Sequence, residues 1–477
     1  MNAPASHAFD FAARAMRGVI IQKGTRGDAF AGGASDSREV KAGAIFFAFP
    51  GERVDGFAFA AQAAANGAAG VVVARGRGVP AGCEALTVIE VDDARLAMGD
   101  LTRAVRAQFG GKVVGVTGSN GKTTTKELVA AALAPMGDVL RTPASLNTDV
   151  GLPLTVLGAT GREAAWVLEM AMRGRGEIAY LADIASPHVG VITNVGGAHL
   201  ERLGTIEEVA RAKGELFAGL GPDAVAVLPA GDPLVEPQAA HIPRARRVTF
   251  DGGVAGSKPD VRVLELLPAG AAGSVVRYAV GDLPVVARLP LAGLHNAKNG
   301  AAALAVARAL GVSAPEAALA LEKVALPPHR SAAVPAGGRV VLDDCYNANP
   351  DSMKAALASV VASATPARAF AILGDMKEVG SHLAESEALH REVGRAAGQR
   401  LAGLVAMGAL ADALIAGARD AGLPADRAVA AATPEEAAAR AAAWTAPGDW
   451  ILVKASRGMK LERAVDALVA TLSSGAR

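Results

Sequence analysis

Short apolar runs bounded by Gly, Pro and Asn recur along the chain, and their spacing predicts strands alternating with amphipathic helices. Residues 45–49 read as a strand closed by Pro50-Gly51, residues 57–65 as a helix, and residues 70–74 and 86–91 as further strands. From residue 112 the alternation becomes regular. Strand 112–117 leads to a helix over 122–133, strand 166–170 to a helix near 178–182, and strand 189–193 to a helix over 206–217. Such alternation implies a mostly parallel sheet covered on both faces. Residues 228–289, rich in Pro, Gly and Val, predict antiparallel β additions. Helices over 297–310 and 314–324 end at Pro327-Pro328, a linker. A second alternating unit follows, with strands at 340–343, 369–373, 403–407 and 450–454. The expected fold class is therefore α/β with three domains. A mixed α/β N-terminal domain spans 1–108, a central mostly parallel-sheet domain 109–327, and a C-terminal Rossmann-like α/β domain 328–477.

The most informative run joins strand 112–117 to the helix after it: Thr117-Gly118-Ser119-Asn120-Gly121-Lys122-Thr123-Thr124-Thr125. A Gly-rich turn between a strand and a helix start is the context of a phosphate loop, whose backbone N–H groups and helix dipole hold an anion. Lys122 is placed to bridge the β- and γ-phosphates of ATP, and Thr123 to offer its hydroxyl to Mg²⁺. The strict pattern asks for Gly where this chain has Val116, so the loop is a variant in which Gly118 supplies the flexibility. A phosphate loop makes the central domain a P-loop ATPase-type domain but does not name a reaction.

Three further residues narrow the chemistry. Glu169 ends the strand at 166–170, and His199 follows the strand at 189–193. In an open parallel sheet the carboxyl ends of the strands form the ligand crevice, so both are candidate Mg²⁺ ligands. Thr205 and Glu208 form a capping box that starts a helix at Ile206. Lys213 falls within that helix's apolar stripe of Ile206, Val209, Leu216 and Phe217. An exposed lysine holds only ~0.04% free amine at pH 7, whereas a desolvation shift of ~3 units raises that to roughly 30%. Such an amine is able to take up CO₂ as a carbamate that ligates Mg²⁺; snorkelling of the ammonium into water is the alternative.

Composition excludes other classes. With 48 basic and 47 acidic residues the net charge is +1, which gives no polyanion-binding face and hence no nucleic-acid partner. The uncharged stretch 56–74 carries Gln62 and Asn66-Gly67, which read as a helix, turn and buried strand rather than a membrane span. Cys83 and Cys345 form neither a disulfide pattern nor a metal-ligand spacing, and no secretory signal is evident, so a cytoplasmic location is expected.

Taken together, these residues resemble the Mur ligase family of peptidoglycan synthesis over nearly the whole chain. Asp36-Ser37-Arg38, residues 43–48 and Asp55-Gly56 resemble the UDP-binding domain of the branch that adds a dipeptide, which implies substrate contacts at Ser37 and Arg38. Thr117 to Thr125, Glu169 and His199 match family positions, and Lys213 stands where relatives carry a carbamylated lysine. The run 291–299 resembles one that contacts adenine through its asparagines, here Asn296 and Asn299. Asp343-Asp344-Cys345-Tyr346-Asn347-Ala348-Asn349-Pro350-Asp351-Ser352 is the strongest marker of that branch. It implies that Asp344, Tyr346 and Asn347 approach the nucleotide or the dipeptide, while Asn349 caps a helix with Pro350 at its first position. Gly374 to Glu378 and Lys454 to Lys460 are two more matching loops. The chain departs from the family at His329-Arg330, where relatives have Gly-Arg, at Asn147-Thr148 in place of Asn-Asn, and at Ala455 in place of Gly. Arg330 remains a nucleotide candidate and Asn147 a uridine-sugar candidate.

The resemblance implies an ATP- and Mg²⁺-dependent, ADP-forming ligase acting as a monomer. The carboxylate of UDP-N-acetylmuramoyl-tripeptide would take the γ-phosphoryl group, and the amine of D-alanyl-D-alanine would displace phosphate from the acyl phosphate. Lys122, Glu169, His199 and Lys213 would carry the chemistry, with water excluded by domain closure about the Pro327-Pro328 linker. Three alternatives are disfavoured, one of them a folate polyglutamate ligase, which Thr123-Thr124-Thr125 and the UDP-like N-terminal domain do not suit. Ala348-Asn349-Pro350-Asp351 is not the motif of the diaminopimelate-adding branch, and a passive nucleotide switch needs no second metal site.

Overall fold

The structure is a computed structural model describing residues 3–51, 54–197, 200–377, 379–380 and 382–474. His199 and Glu378, both singled out above, lie outside the described residues. The chain forms two compact units. The first comprises Met1–Thr117, Met136–Gly190 and Glu215–Val225, and the second Gly118–Pro135, Val191–Gly214 and Ala226–Arg477.

The first unit holds a five-stranded sheet in the order Val19–Gln22, Thr87–Val91, Gly70–Ala74, Ile45–Phe47, Gly33–Ala34. All its pairings are parallel except that of Val19–Gln22 with Thr87–Val91. Phe46, Val71, Val73 and Val88 pack one core with Ala60, Ala63 and Ala64. The helix expected over 57–65 divides in two. Asp55 accepts from the Phe57 amide and starts a 3₁₀ turn, Gly56–Phe59, which runs into the α-helix Ala60–Ala65. Among the described residues no helix is long and apolar enough to cross a membrane. The same unit holds three parallel strands in the order Val139–Arg141, Ala165–Glu169, Lys112–Thr117. Val116 is fully buried inside the last of these, so strand occupies the position where the strict phosphate-loop pattern has glycine.

In the second unit, Val225–Pro229, Arg247–Phe250 and Val261–Pro268 pair in parallel, and only Val261–Pro268, Ser274–Val280 and Leu283–Leu289 form an antiparallel meander. The antiparallel expectation for 228–289 therefore holds only for its second half. Two short hairpin connections, turning at Gly273 and Gly281, allow antiparallel pairing there, whereas the longer crossovers before it return parallel. The helix expected from 297 begins earlier, at Leu294, after Gly293 with φ 93°.

The C-terminal sheet runs in the order Ala332–Ala336, Arg339–Asp343, Trp450–Lys454, Ala369–Leu373, Gly403–Ala406, Ala428–Ala430, parallel throughout except at the first pair. Alternate strand residues face opposite ways. Leu342, Ala371, Leu404 and Leu452 join one core with helices Pro350–Ala364 and Leu383–Gly398, while Val341, Ile372, Val405 and Val453 join another with Pro434–Trp444 and Glu462–Ser474. The edge strand Ala332–Ala336 was not expected from the pattern; Pro335 is tolerated there because an edge position leaves one side of the ladder unpaired.

Candidate active site

The phosphate loop is shaped by two glycines with positive φ. Gly118 has φ 150°, and a Cβ there would collide with Thr193 Oγ1. Gly121 has φ 78° as the residue before the helix Lys122–Leu133, and a Cβ there would meet Asn299 Oδ1 at 2.7 Å. Both positions therefore require glycine for backbone and space alike. Thr123 and Thr124 are buried in the first turn of that helix. Thr117 Oγ1 is buried with no hydrogen-bond partner among the described residues.

Asn120 is the node of the loop. Its amide donates to Asn194 Oδ1 at 2.9 Å, and its carbonyl accepts from Thr193 Oγ1 at 2.7 Å and Asn194 Nδ2 at 2.9 Å. Ser119 adds a reciprocal pair with Gly196, its hydroxyl accepting from the Gly196 amide at 2.9 Å. The segment leading toward His199 is thus bonded to the loop up to Gly196. From the C-terminal Rossmann part, Asn349 Nδ2 donates to Asn120 Oδ1 at 2.7 Å while its Oδ1 caps the helix Pro350–Ala364 by accepting from Ser352 N at 2.9 Å. The cap was legible in the sequence; its second bond, to a residue 229 positions away, was not.

Lys213 is 1% exposed, on the helix Ile206–Ala218, and its Nζ donates to Gly118 O at 3.0 Å. Lys122 Nζ donates to the same carbonyl oxygen at 2.8 Å. Burial first, and then the neighbouring Lys122, hold the Lys213 amine well below the ordinary lysine value. The snorkelling alternative is excluded, since the whole side chain is inside. An amine of lowered proton affinity thus lies against the phosphate loop.

Glu169 is 2% exposed. Its Oε1 accepts from Asn147 Nδ2 at 2.8 Å and its backbone amide donates to Thr142 Oγ1 at 2.9 Å, while Oε2 is buried without a partner among the described residues. Asn147, read from sequence as a sugar contact, here orients this carboxylate. An orphaned buried carboxylate oxygen costs stability unless a cation or donor satisfies it, so Glu169 fits a Mg²⁺ ligand by that test.

The asparagines of the 291–299 run differ in role. Asn296 is buried and donates to Ala292 O at 2.8 Å, and its Oδ1 accepts from Asn299 Nδ2 at 3.3 Å, leaving Asn299 as the one packed over Gly121. Ser37 donates to Gln62 Oε1 at 2.7 Å in a 3₁₀ turn capped by Asp36, and Arg38 is largely exposed in an ion pair with Asp36.

Around the second motif, Lys454 is 3% exposed and donates to Asp344 Oδ2 at 2.6 Å and to Asn347 O at 2.9 Å. It thereby ties the 344–349 loop to the strand end at 454. Lys377 N and Ser456 Oγ, 2.7 Å apart, join the other two matching loops. Cys345, without a ligand pattern by sequence spacing, lies with His329 and Asp343 so that their ligand atoms all fall within 4.8 Å. Its thiol donates to Asp343 Oδ1 at 3.1 Å, and burial pushes its pKa up. His329, where glycine was expected, has φ 64°. A non-glycine residue there costs about 1–3 kcal/mol, which explains why glycine suits the position.

Descriptions of known families match three stretches of the chain: "Mur ligase family, catalytic domain" at 32–106, "Mur ligase middle domain" at 116–307, and "Mur ligase, glutamate ligase domain" at 329–457. The UDP-N-acetylmuramoyl-tripeptide–D-alanyl-D-alanine ligase of Mycobacterium bovis is 38% identical over 481 residues, covering 92% of each chain. The protein of the same name from Bacillus subtilis is 33% identical, covering 92% of this chain and 93% of its own. Among solved structures, MurF from Acinetobacter baumannii aligns with a TM-score of 0.84 at 29% identity, covering 98% of this chain and 99% of that one. MurF ligase from Thermotoga maritima, solved in complex with ADP, aligns with a TM-score of 0.80 at 29% identity, covering 93% and 98%.

Proposed function

The chain belongs to the Mur ligase family, and from that premise we infer how its residues carry the reaction. The protein has the family's three-domain α/β fold and is an ATP-dependent, ADP-forming amide ligase. It joins D-alanyl-D-alanine to UDP-N-acetylmuramoyl-tripeptide through an acyl phosphate, in peptidoglycan precursor synthesis. We divide it into domains at 1–108, 109–327 and 328–477, a reading supported by the three family matches falling one within each.

The observation that carries the site reading is the pair of lysines on Gly118 O. Lys122, on the first turn of the helix, is within reach of phosphate oxygens by rotating off that carbonyl. Lys213 cannot leave, and its buried amine is suited to take CO₂, forming an N–C bond and releasing one proton to give a carbamate. Thr123, Glu169, His199 and the Lys213 carbamate are the residues we assign to Mg²⁺, which supplies neutralisation of phosphate charge. Glu169 Oε2, buried and unpartnered, supports its share of that assignment. The loop amides of 118–124 hold the triphosphate, Asn299 borders it at Gly121, and Arg330 with Asp344 completes the nucleotide side. Tyr346 and Asn347 face the incoming dipeptide in this reading, and Ser37, Arg38 and Asn147 the UDP-linked substrate. The tripeptide carboxylate attacks the γ-phosphorus and ADP leaves; the dipeptide amine then attacks the acyl carbon, and phosphate leaves with the proton balance closed by loss from the amine. Nucleotide substrates and two buried free thiols support a cytoplasmic location.

The test is phosphate release with each substrate omitted in turn, and with Lys213→Ala supplied with short carboxylic acids. Release should require ATP, tripeptide nucleotide and dipeptide together, and an acid should restore part of the lost rate. ATP turnover that ignores both other substrates would replace the ligase by a nucleotide switch, and failure of every acid would remove the carbamate.

A further inference from the structure

Arg330 stands between two residues with left-handed backbones, His329 at φ 64° and Ser331 at φ 52°. Neither is glycine, so each must be held where it is. The holders are two successive acids at the end of the strand Arg339–Asp343. Asp343 Oδ2 lies 2.8 Å from His329 Nδ1. Asp344 Oδ1 accepts from the Ser331 amide at 3.0 Å and from its hydroxyl at 3.3 Å. Both acids are fixed in turn, Asp343 by the Cys345 thiol at 3.1 Å and Asp344 by Lys454 at 2.6 Å.

The turn is also tied to what lies under Arg330. The Tyr346 amide donates to His329 O at 3.1 Å, and the Arg330 guanidinium carbon sits 3.9 Å from the centre of the Tyr346 ring. Stacking on the ring fixes the plane of the guanidinium without using its N–H groups. Arg330 Nε is buried and has no hydrogen-bond partner among the described residues. A buried donor without an acceptor is costly, and an anionic oxygen brought by a ligand would satisfy it.

We propose that His329 and Ser331 are positioning residues for Arg330: the paired acids Asp343 and Asp344 clamp them in a left-handed turn that fixes the guanidinium on Tyr346, with Nε held ready for an oxygen of the nucleotide. The inference rests on the reading of Arg330 as a nucleotide residue. It adds that the residue replacing glycine in this chain is part of the binding apparatus, because the imidazole reaches Asp343 and a glycine has nothing with which to do so.

His329→Gly tests it without endangering the fold, since glycine adopts φ 64° freely and loses only the imidazole. ATP affinity should fall about tenfold and the KM for ATP rise in step, with a smaller change in kcat and no fall in Tm. His329→Asn, which tolerates the left-handed region and offers an amide donor to Asp343, should recover part of the loss. Arg330→Ala sets the limit, and the double variant His329→Gly/Arg330→Ala should bind ATP no more weakly than Arg330→Ala alone. Unchanged ATP affinity in His329→Gly, or additive losses in the double variant, would overturn the positioning role while leaving Arg330 a nucleotide residue. Unchanged affinity in Arg330→Ala would overturn that reading itself, and the clamp with it.

Discussion

Replacing Lys213 with Met removes the amine while filling nearly the same volume, so it isolates the charge chemistry of the site from its packing. The side chain is 1% exposed, and its hydrogen bond goes to a carbonyl that Lys122 also satisfies. Deleting it therefore leaves no orphaned acceptor, and the lost bond is worth about 0.5–1.5 kcal/mol. Against this stands relief from burying a group that carries a proton in the unfolded chain. The folded amine is held well below 10.5, the ordinary value, by burial and then by Lys122. Between the lowered folded value and 10.5 the unfolded chain thus binds a proton that the folded chain does not. Stability then rises with pH, by about 1.4 kcal/mol per unit. This contribution runs from the folded pKa up to the unfolded one and vanishes above it. For a unit of 150–250 residues, 1 kcal/mol moves Tm by about 2–4 °C. As pH rises toward 10.5 the wild type should therefore gain on Lys213→Met, by up to roughly 3–6 °C per pH unit, read by thermal denaturation of both proteins in the same buffers. Ligase turnover of the variant should fall by about 10²–10³, the loss expected when transition-state charge stabilisation is removed. Parallel Tm curves for the two proteins would mean that Lys213 keeps its proton in the folded state, and the neutral-amine argument would be wrong.

Two other substitutions probe contacts that the geometry alone reveals. Asn349→Ser keeps a hydroxyl to cap the helix Pro350–Ala364 but cannot reach Asn120 Oδ1, so kcat should drop about 3–10-fold, the equivalent of one hydrogen bond, with Tm unchanged. An unchanged kcat in Asn349→Ser would show that only the cap matters. Tyr278→Phe removes a hydroxyl that donates to Ala297 O at 2.9 Å in a fully buried position, and should cost about 1 kcal/mol of stability in urea unfolding without altering KM for any substrate.

The strands and helices of the two regular alternations were legible because their periodicity is a direct consequence of burial. Val341, Ile372 and Val453 face one core and Leu342, Ala371 and Leu452 the other, so these strands read as continuous apolar runs. The elements that escaped detection lack that signature. Ala332–Ala336 is an edge strand with a proline, Val139–Arg141 is three residues long, and Gly151–Leu157 is a short helix with a proline in its first turn. The helix Ala94–Gln108 is the exception, being amphipathic and capped by Asp93.

The site divides along a different line. A residue whose role follows from its own element can be read from spacing: Lys213 lies in the apolar stripe of its helix, and burial of an amine on that stripe is what lowers its proton affinity. A residue whose role is set by a partner far along the chain cannot. Nothing near Asn120 announces Asn349, and nothing near Arg330 announces that Asp343 and Asp344 hold its neighbours on both sides. The sole local hint was the imidazole at a position where glycine was expected. By itself that substitution looks like a defect in the turn. With the Asp343 bond in view, the backbone strain at His329 has a compensating partner, and the departure becomes a reason to look for function at that turn.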